Sequence, residues 1–113
     1  MSRASLLCFA LMALAVSRTA TAGFESGGSL LEHCTKSDKL IEQACLGYIA
    51  AVADALEGGR FVAKAPQCLP VDIQLSQLRD VVVKYLQNHP TTRNRDAVFL
   101  VSAAIVNKWC PVE

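Results

Sequence analysis

With 113 residues, 52% of them hydrophobic and 19% charged, and a formal net charge of +1, the chain is long enough for one modest core. At this size cross-links weigh heavily in stability. The near-neutral charge, without a run of Lys or Arg, excludes the electrostatic footprint of a nucleic-acid binder.

Arg3 precedes an apolar run from Leu6 to Val16 that ends in Ala20-Thr21-Ala22, the small-x-small pattern of a signal-peptidase site. Residues 1–22 therefore read as a secretory signal peptide and residues 23–113 as the mature domain. A bilayer-spanning helix needs about 20 apolar residues, more than this run offers, and Cys8 lies in the removed part. No membrane anchor is expected after cleavage. Removing 1–22 takes Arg3 and Arg18 with it, which leaves nine Lys plus Arg against ten Asp plus Glu, and four cysteines. Four cysteines in an exported chain this short read as a disulfide framework. Cys34, Cys45, Cys68 and Cys110 contain no Cys-x-x-Cys pair and are accompanied by only two histidines, so a metal site is not expected.

In chain order, Ser29 is placed to cap a short helix with Leu30, Leu31 and Cys34 on one side. Thr35-Lys36-Ser37-Asp38 then has the form of a capping box for a long helix. On that helix Leu40, Ile41, Ala44, Cys45, Tyr48, Ile49, Val52, Ala55 and Leu56 recur at three- and four-residue steps and make one wide apolar face. Glu57-Gly58-Gly59 is expected to end it. Arg60 to Leu69, with Pro66, reads as a loop.

Pro70 and Asp72 suit the start of a third helix, with Val71, Leu75, Leu78, Val82, Tyr85 and Leu86 on its apolar face. Asn88-His89-Pro90-Thr91-Thr92 breaks it, because Pro90 lacks an amide hydrogen and biases His89 away from helical geometry. Thr92 or Asn94 then caps a last helix carrying Ala97, Val98, Val101, Ala104, Ile105 and Trp109, which Pro111 stops. The expected fold is all-α, a small single-domain bundle of three main helices plus a short N-terminal one, cross-linked by two disulfides.

The last two helices are of similar length and joined by about five residues, which makes them antiparallel neighbours. The residue before the first then lies beside the residue after the second. Cys68 and Cys110 hold those places, so of the three possible connectivities Cys68–Cys110 with Cys34–Cys45 is favoured.

Chemistry-bearing constellations are sparse. His33 and His89 are far apart, no serine stands in a nucleophile elbow, and every cysteine of the mature part has an expected covalent partner. Asp38 and Glu42 share a helix face, a spacing that also describes an ordinary solvated surface. No catalytic residue and no cofactor is expected. Arg93 and Arg95 between the last two helices, with Arg60 and Lys64 in the other loop, read either as contacts to an acidic partner or as solubilising charge. Tyr48, Tyr85 and Trp109 fall on apolar stripes and read as core.

The order Leu-x-x-Cys34, Cys45-x-Gly47-Tyr48-Ile49 with Asp54, Cys68-x-Pro70, Tyr85-Leu86 followed by His89-Pro90, and Cys110 resembles the Rap/Tai family of type VI secretion immunity proteins, over nearly all of the mature part. Two departures are Ala51, where the family tends to have glycine, and Trp109-Cys110-Pro111, where Pro would precede Cys. The resemblance implies a periplasmic, non-enzymatic inhibitor that binds a secreted peptidoglycan amidase effector and occludes its cleft. The equivalent contact here is the segment Asn88 to Asp96, with His89, Thr91, Thr92, Arg93 and Arg95 as partner-binding residues. It also implies a helix surface for homodimer formation. Two other readings fit a disulfide-linked helical fold, a periplasmic holdase-type chaperone and a small-ligand carrier.

Overall fold

The computed structural model describes residues 24–110. The expected signal peptide and the stop at Pro111 lie outside the described residues. Among the described residues four α-helices follow one another, α1 (Gly27–Thr35), α2 (Lys39–Val62), α3 (Leu75–Asn88) and α4 (Ala97–Trp109), with a one-turn 3₁₀ helix over Pro90–Thr92. Every pair of helices is in contact. The all-α bundle and both expected disulfides are present, Cys34–Cys45 with a Cα separation of 5.2 Å and Cys68–Cys110 with 4.5 Å.

The helix ends differ from the expected ones at several places. Ser26, not Ser29, caps α1, its hydroxyl accepting from the Ser29 amide at 3.1 Å. Thr35 closes α1, donating back to the Leu31 carbonyl at 2.8 Å, and Asp38 is itself the cap of α2, accepting from the amides of Leu40 and Ile41. Helix α2 runs through Gly58 and Gly59 to Val62. Neither glycine takes a left-handed backbone; Lys64 does, at φ 56°. The Lys64 amide donates to Phe61 and the Ala65 amide to Arg60, so the last carbonyls of α2 are satisfied by a Schellman turn built on a lysine.

Beyond that turn the chain is sewn back onto α2. The Glu57 carboxylate accepts from the amides of Cys68 and Leu69, and the Arg60 guanidinium donates to the Pro66 carbonyl. Residues 70–73 form a turn rather than the start of α3, which begins at Leu75 after Gln74, whose amide is held by the Gln77 side chain at 3.1 Å. Val71 is consequently exposed instead of joining the apolar face.

The core is drawn from all four helices, with Leu30, Cys45, Ile49, Val82, Leu86, Val101 and Ile105 fully buried. On α2 the buried stripe is narrower than the sequence suggests: Cys45, Ile49, Val52 and Ala53 face inward, while Leu40 is 83% exposed and Ala44 and Ala55 are exposed as well. Three covering elements cannot enclose the whole circumference of a 24-residue helix. On α4, Leu100 rather than Val98 belongs to the buried set. Asp96, not Thr92 or Asn94, precedes α4, and the connection from α3 is eight residues long, His89 to Asp96.

Candidate functional site: the tip between α3 and α4

The 3₁₀ turn is set by Pro90, whose fixed φ suits a first helical position. The Thr92 amide and hydroxyl both reach the His89 carbonyl at 3.2 Å, and the Arg95 amide reaches Thr92 at 3.0 Å. These bonds make residues 89–96 a folded knob.

The end of α3 leaves carbonyls without helical partners, and two side chains from the tip take them. His89 lies over Tyr85, ring centroids 4.0 Å apart and 21° from parallel, with Nδ1 2.7 Å from the Tyr85 carbonyl. Nδ1 must carry the hydrogen there, which leaves Nε2 for other partners. Arg93 donates from Nε to the Leu86 carbonyl at 2.8 Å and from an η nitrogen to Gln87 at 3.0 Å. A guanidinium near a helix C-terminus also meets a favourable dipole.

From the other side the tip is gripped by the start of α1. The Gly27 and Gly28 amides, free donors of a helix first turn, donate to the carbonyls of Arg95 (2.9 Å) and Arg93 (2.8 Å), and the Ala97 amide donates back to Glu25 at 2.8 Å. Ser26 and Asp96 thereby pair as an isolated antiparallel bridge. Close approach is possible because residue 27 is glycine; a Cβ there would collide with Leu100 Cδ1 and crowd the Arg93 carbonyl. The sequence carries one hint of this grip, the glycine pair Gly27-Gly28 directly behind the capping Ser26.

Tyr48 underpins the same corner. Burial pushes its phenol above the ordinary range, the Glu25 and Asp96 carboxylates add to this, and the Val98 backbone works against it. His33 faces Glu25 at 3.6 Å.

The five residues expected at the contact therefore divide. His89, Thr91 and Arg95 are exposed, whereas Thr92 and Arg93 are partly buried and turned to hold the tip together. Arg95 makes no ion pair among the described residues. Arg60 lies within α2, tied to Pro66, and Lys64 serves the turn after it.

Beside the tip, α3 and α4 leave a surface groove. One hollow of about 440 Å³ is bordered by Lys84, Tyr85, Asn88, His89, Ala104 and Lys108. Asp38 and Glu42, the two carboxylates sharing a face of α2, are engaged otherwise: Asp38 as a cap and Glu42 with Arg79 at 3.0 Å. Among the described residues no three His, Cys, Asp or Glu side chains gather as metal ligands, and no helix is long and apolar enough to cross a membrane.

Apart from Glu25, this geometry, from the capping Ser26 to Cys110, falls within residues 26–110, which match the model of the Rap1a immunity proteins. The chain belongs to that family. Neither a curated protein nor a solved structure matches it. Within the Rap1a immunity family frame, the two disulfides, the Gly47-Tyr48 pair and the tip all lie in the matched region. Gly47 is exposed and a Cβ there would meet nothing within 4 Å, so packing within this chain does not require glycine in that place.

Proposed function

We propose that this immunity protein is exported by residues 1–22 to the periplasm, where its mature domain, 23–113, binds a peptidoglycan-cleaving amidase delivered by type VI secretion and blocks the cleft with the tip. It acts by obstruction and performs no chemistry. The observation that carries this reading is the pre-ordered tip: Thr92 closes it from within, the His89 and Arg93 side chains tie it to the carbonyls at the end of α3, and the Gly27 and Gly28 amides hold it from α1. A loop already fixed in one shape loses little conformational entropy on entering a cleft. Arg95 and the exposed edges of Thr91 and His89 then face the enzyme, and Arg is favoured among residues that dominate binding energy.

A second copy of the chain is proposed to use the outer face of α2, where Ala44, Gly47, Ala51 and Gly58 are exposed and small enough for close helix approach. The test is titration calorimetry and amidase assay against exported hydrolases encoded beside the gene. One stoichiometric hydrolase should be inhibited, Arg95→Glu should weaken inhibition by about tenfold or more, and Lys64→Glu should leave it unchanged. Capture of many denatured clients with no single hydrolase would move the function to the holdase alternative.

A further inference from the structure

The groove beside the tip continues past the first hollow. A second one of about 480 Å³, bordered by Gln74, Gln77 and Trp109, shares Val81 and Lys108 with it, so the two form one channel along the α3–α4 seam. Ala104, a short and buried side chain, lies at its floor, with Val81, Tyr85 and Lys108 among the residues that border it. From Leu75 to Asn88 the seam is about 20 Å long at 1.5 Å per residue, the length of about six extended residues.

Its chemistry is uneven. Val81, Tyr85 and Trp109 supply apolar surface, and Lys84 and Lys108 stand over it without an ion pair among the described residues. The carboxylate in the first hollow, Asp80, lies 3.2 Å from Arg79, a guanidinium that it shares with Glu42, and Asp72 stands at the far end, away from the tip. The half of the channel next to the tip therefore sets two lysines against one carboxylate, itself drawn to Arg79, above an apolar floor.

We infer that this channel receives an extended acidic segment of the partner hydrolase, its carboxylates on Lys84 and Lys108 and its apolar side chains on Val81 and Tyr85. The inference rests on the reading of the tip as the contact with that enzyme: the channel begins at Asn88 and His89, so a chain passing the tip enters it directly. The tip would block, and the channel would select partners by charge.

The probe is a fluorescein-labelled peptide of alternating Glu and Leu, seven residues long, beside its Gln-for-Glu counterpart, followed by anisotropy and by amide chemical shifts of the 15N-labelled protein. The acidic peptide should bind about tenfold more tightly than the Gln form and weaken severalfold as salt rises from about 50 to 300 mM. Its shifts should centre on Val81, Tyr85 and Ala104. K84E/K108E, at two exposed positions and verified as folded by circular dichroism, should lose about tenfold in affinity. Equal affinity for both peptides, shifts outside α3 and α4, or indifference to the double variant would overturn the inference. Against the hydrolase, inhibition lost in Arg95→Glu but intact in K84E/K108E would reject the channel and keep the tip. A channel that binds the acidic peptide in a protein that inhibits no hydrolase would reject the tip instead.

Discussion

The Gly27 amide donates to the Arg95 carbonyl across 2.9 Å, joining the first turn of the first helix to the loop before the last one. With Gly28 on Arg93 and Ala97 on Glu25, this join holds the tip to the body of the bundle.

Gly27→Ala is the sharpest test of the join. Its added methyl overlaps Leu100 Cδ1 and approaches the Arg93 carbonyl and Leu86 Cδ2 at 3.2 Å, so side chains and backbone must both give. Overpacking of this kind costs about 1–3 kcal/mol. Denaturant melts should show a lower midpoint at unchanged slope, and amide shifts should move at residues 93–97. Gly28→Ala, where the nearest atom is at 3.6 Å, should be nearly silent.

Arg93 should act on stability where Arg95 does not. Arg93→Ala removes two donors from the end of α3 and is expected to cost about 1–2 kcal/mol. Arg93→Lys keeps the charge without the planar fork and should recover only part of the loss. Arg95→Ala, exposed and unpaired, should melt within about 0.5 kcal/mol of the parent. Equal melting of the Arg93 and Arg95 variants would refute the division of roles.

At the end of α2, Lys64→Gly relieves a left-handed backbone that a side chain makes costly. An increase of about 1 kcal/mol is expected by chemical denaturation. Gly58→Ala, in the helical stretch with open space at its Cβ, should also stabilise, by about 0.5–1 kcal/mol.

Reduction tests the covalent frame. Replacing Cys68 and Cys110 together by Ala opens a link across 42 residues, expected to cost about 4 kcal/mol, a large part of a small domain's stability. The Cys34 and Cys45 pair spans 11 residues and should cost less, about 3 kcal/mol.

Tyr48 predicts an alkaline limit. Its phenol is raised in the folded state by burial and by two carboxylates, so the fold holds this proton more tightly than the unfolded chain does. The associated stability is complete below the ordinary phenol range, about pH 10, and is lost as pH rises through the folded value. Melting temperature should fall more steeply above that range in the parent than in Tyr48→Phe, with the phenolate absorbance of the parent appearing late. Identical alkaline profiles would sink the assignment.

Helices, their order and the cysteine pairing were legible because each rests on local or one-dimensional information. The three- and four-residue steps of Cys45, Tyr48, Ile49 and Val52 place them on one face whatever the rest of the chain does. The break at His89-Pro90 is steric, and the hairpin it creates brings Cys68 and Cys110 together.

What only the tertiary structure decided is where polar groups and glycines find their partners. Gly58 and Gly59 look like a helix end, yet α2 continues because Glu57 and Arg60 bind the returning loop at Cys68 and Pro66. Arg93 and Arg95 are near-identical neighbours in sequence, yet one caps α3 and the other is exposed, since the turn after Pro90 points them to different sides. Whether a hydrogen-bonding group faces solvent or a carbonyl depends on which distant segment arrives beside it. Here that segment is the start of α1, which lies 65 residues from the tip it holds at Gly28–Arg93 and 70 at Ser26–Asp96.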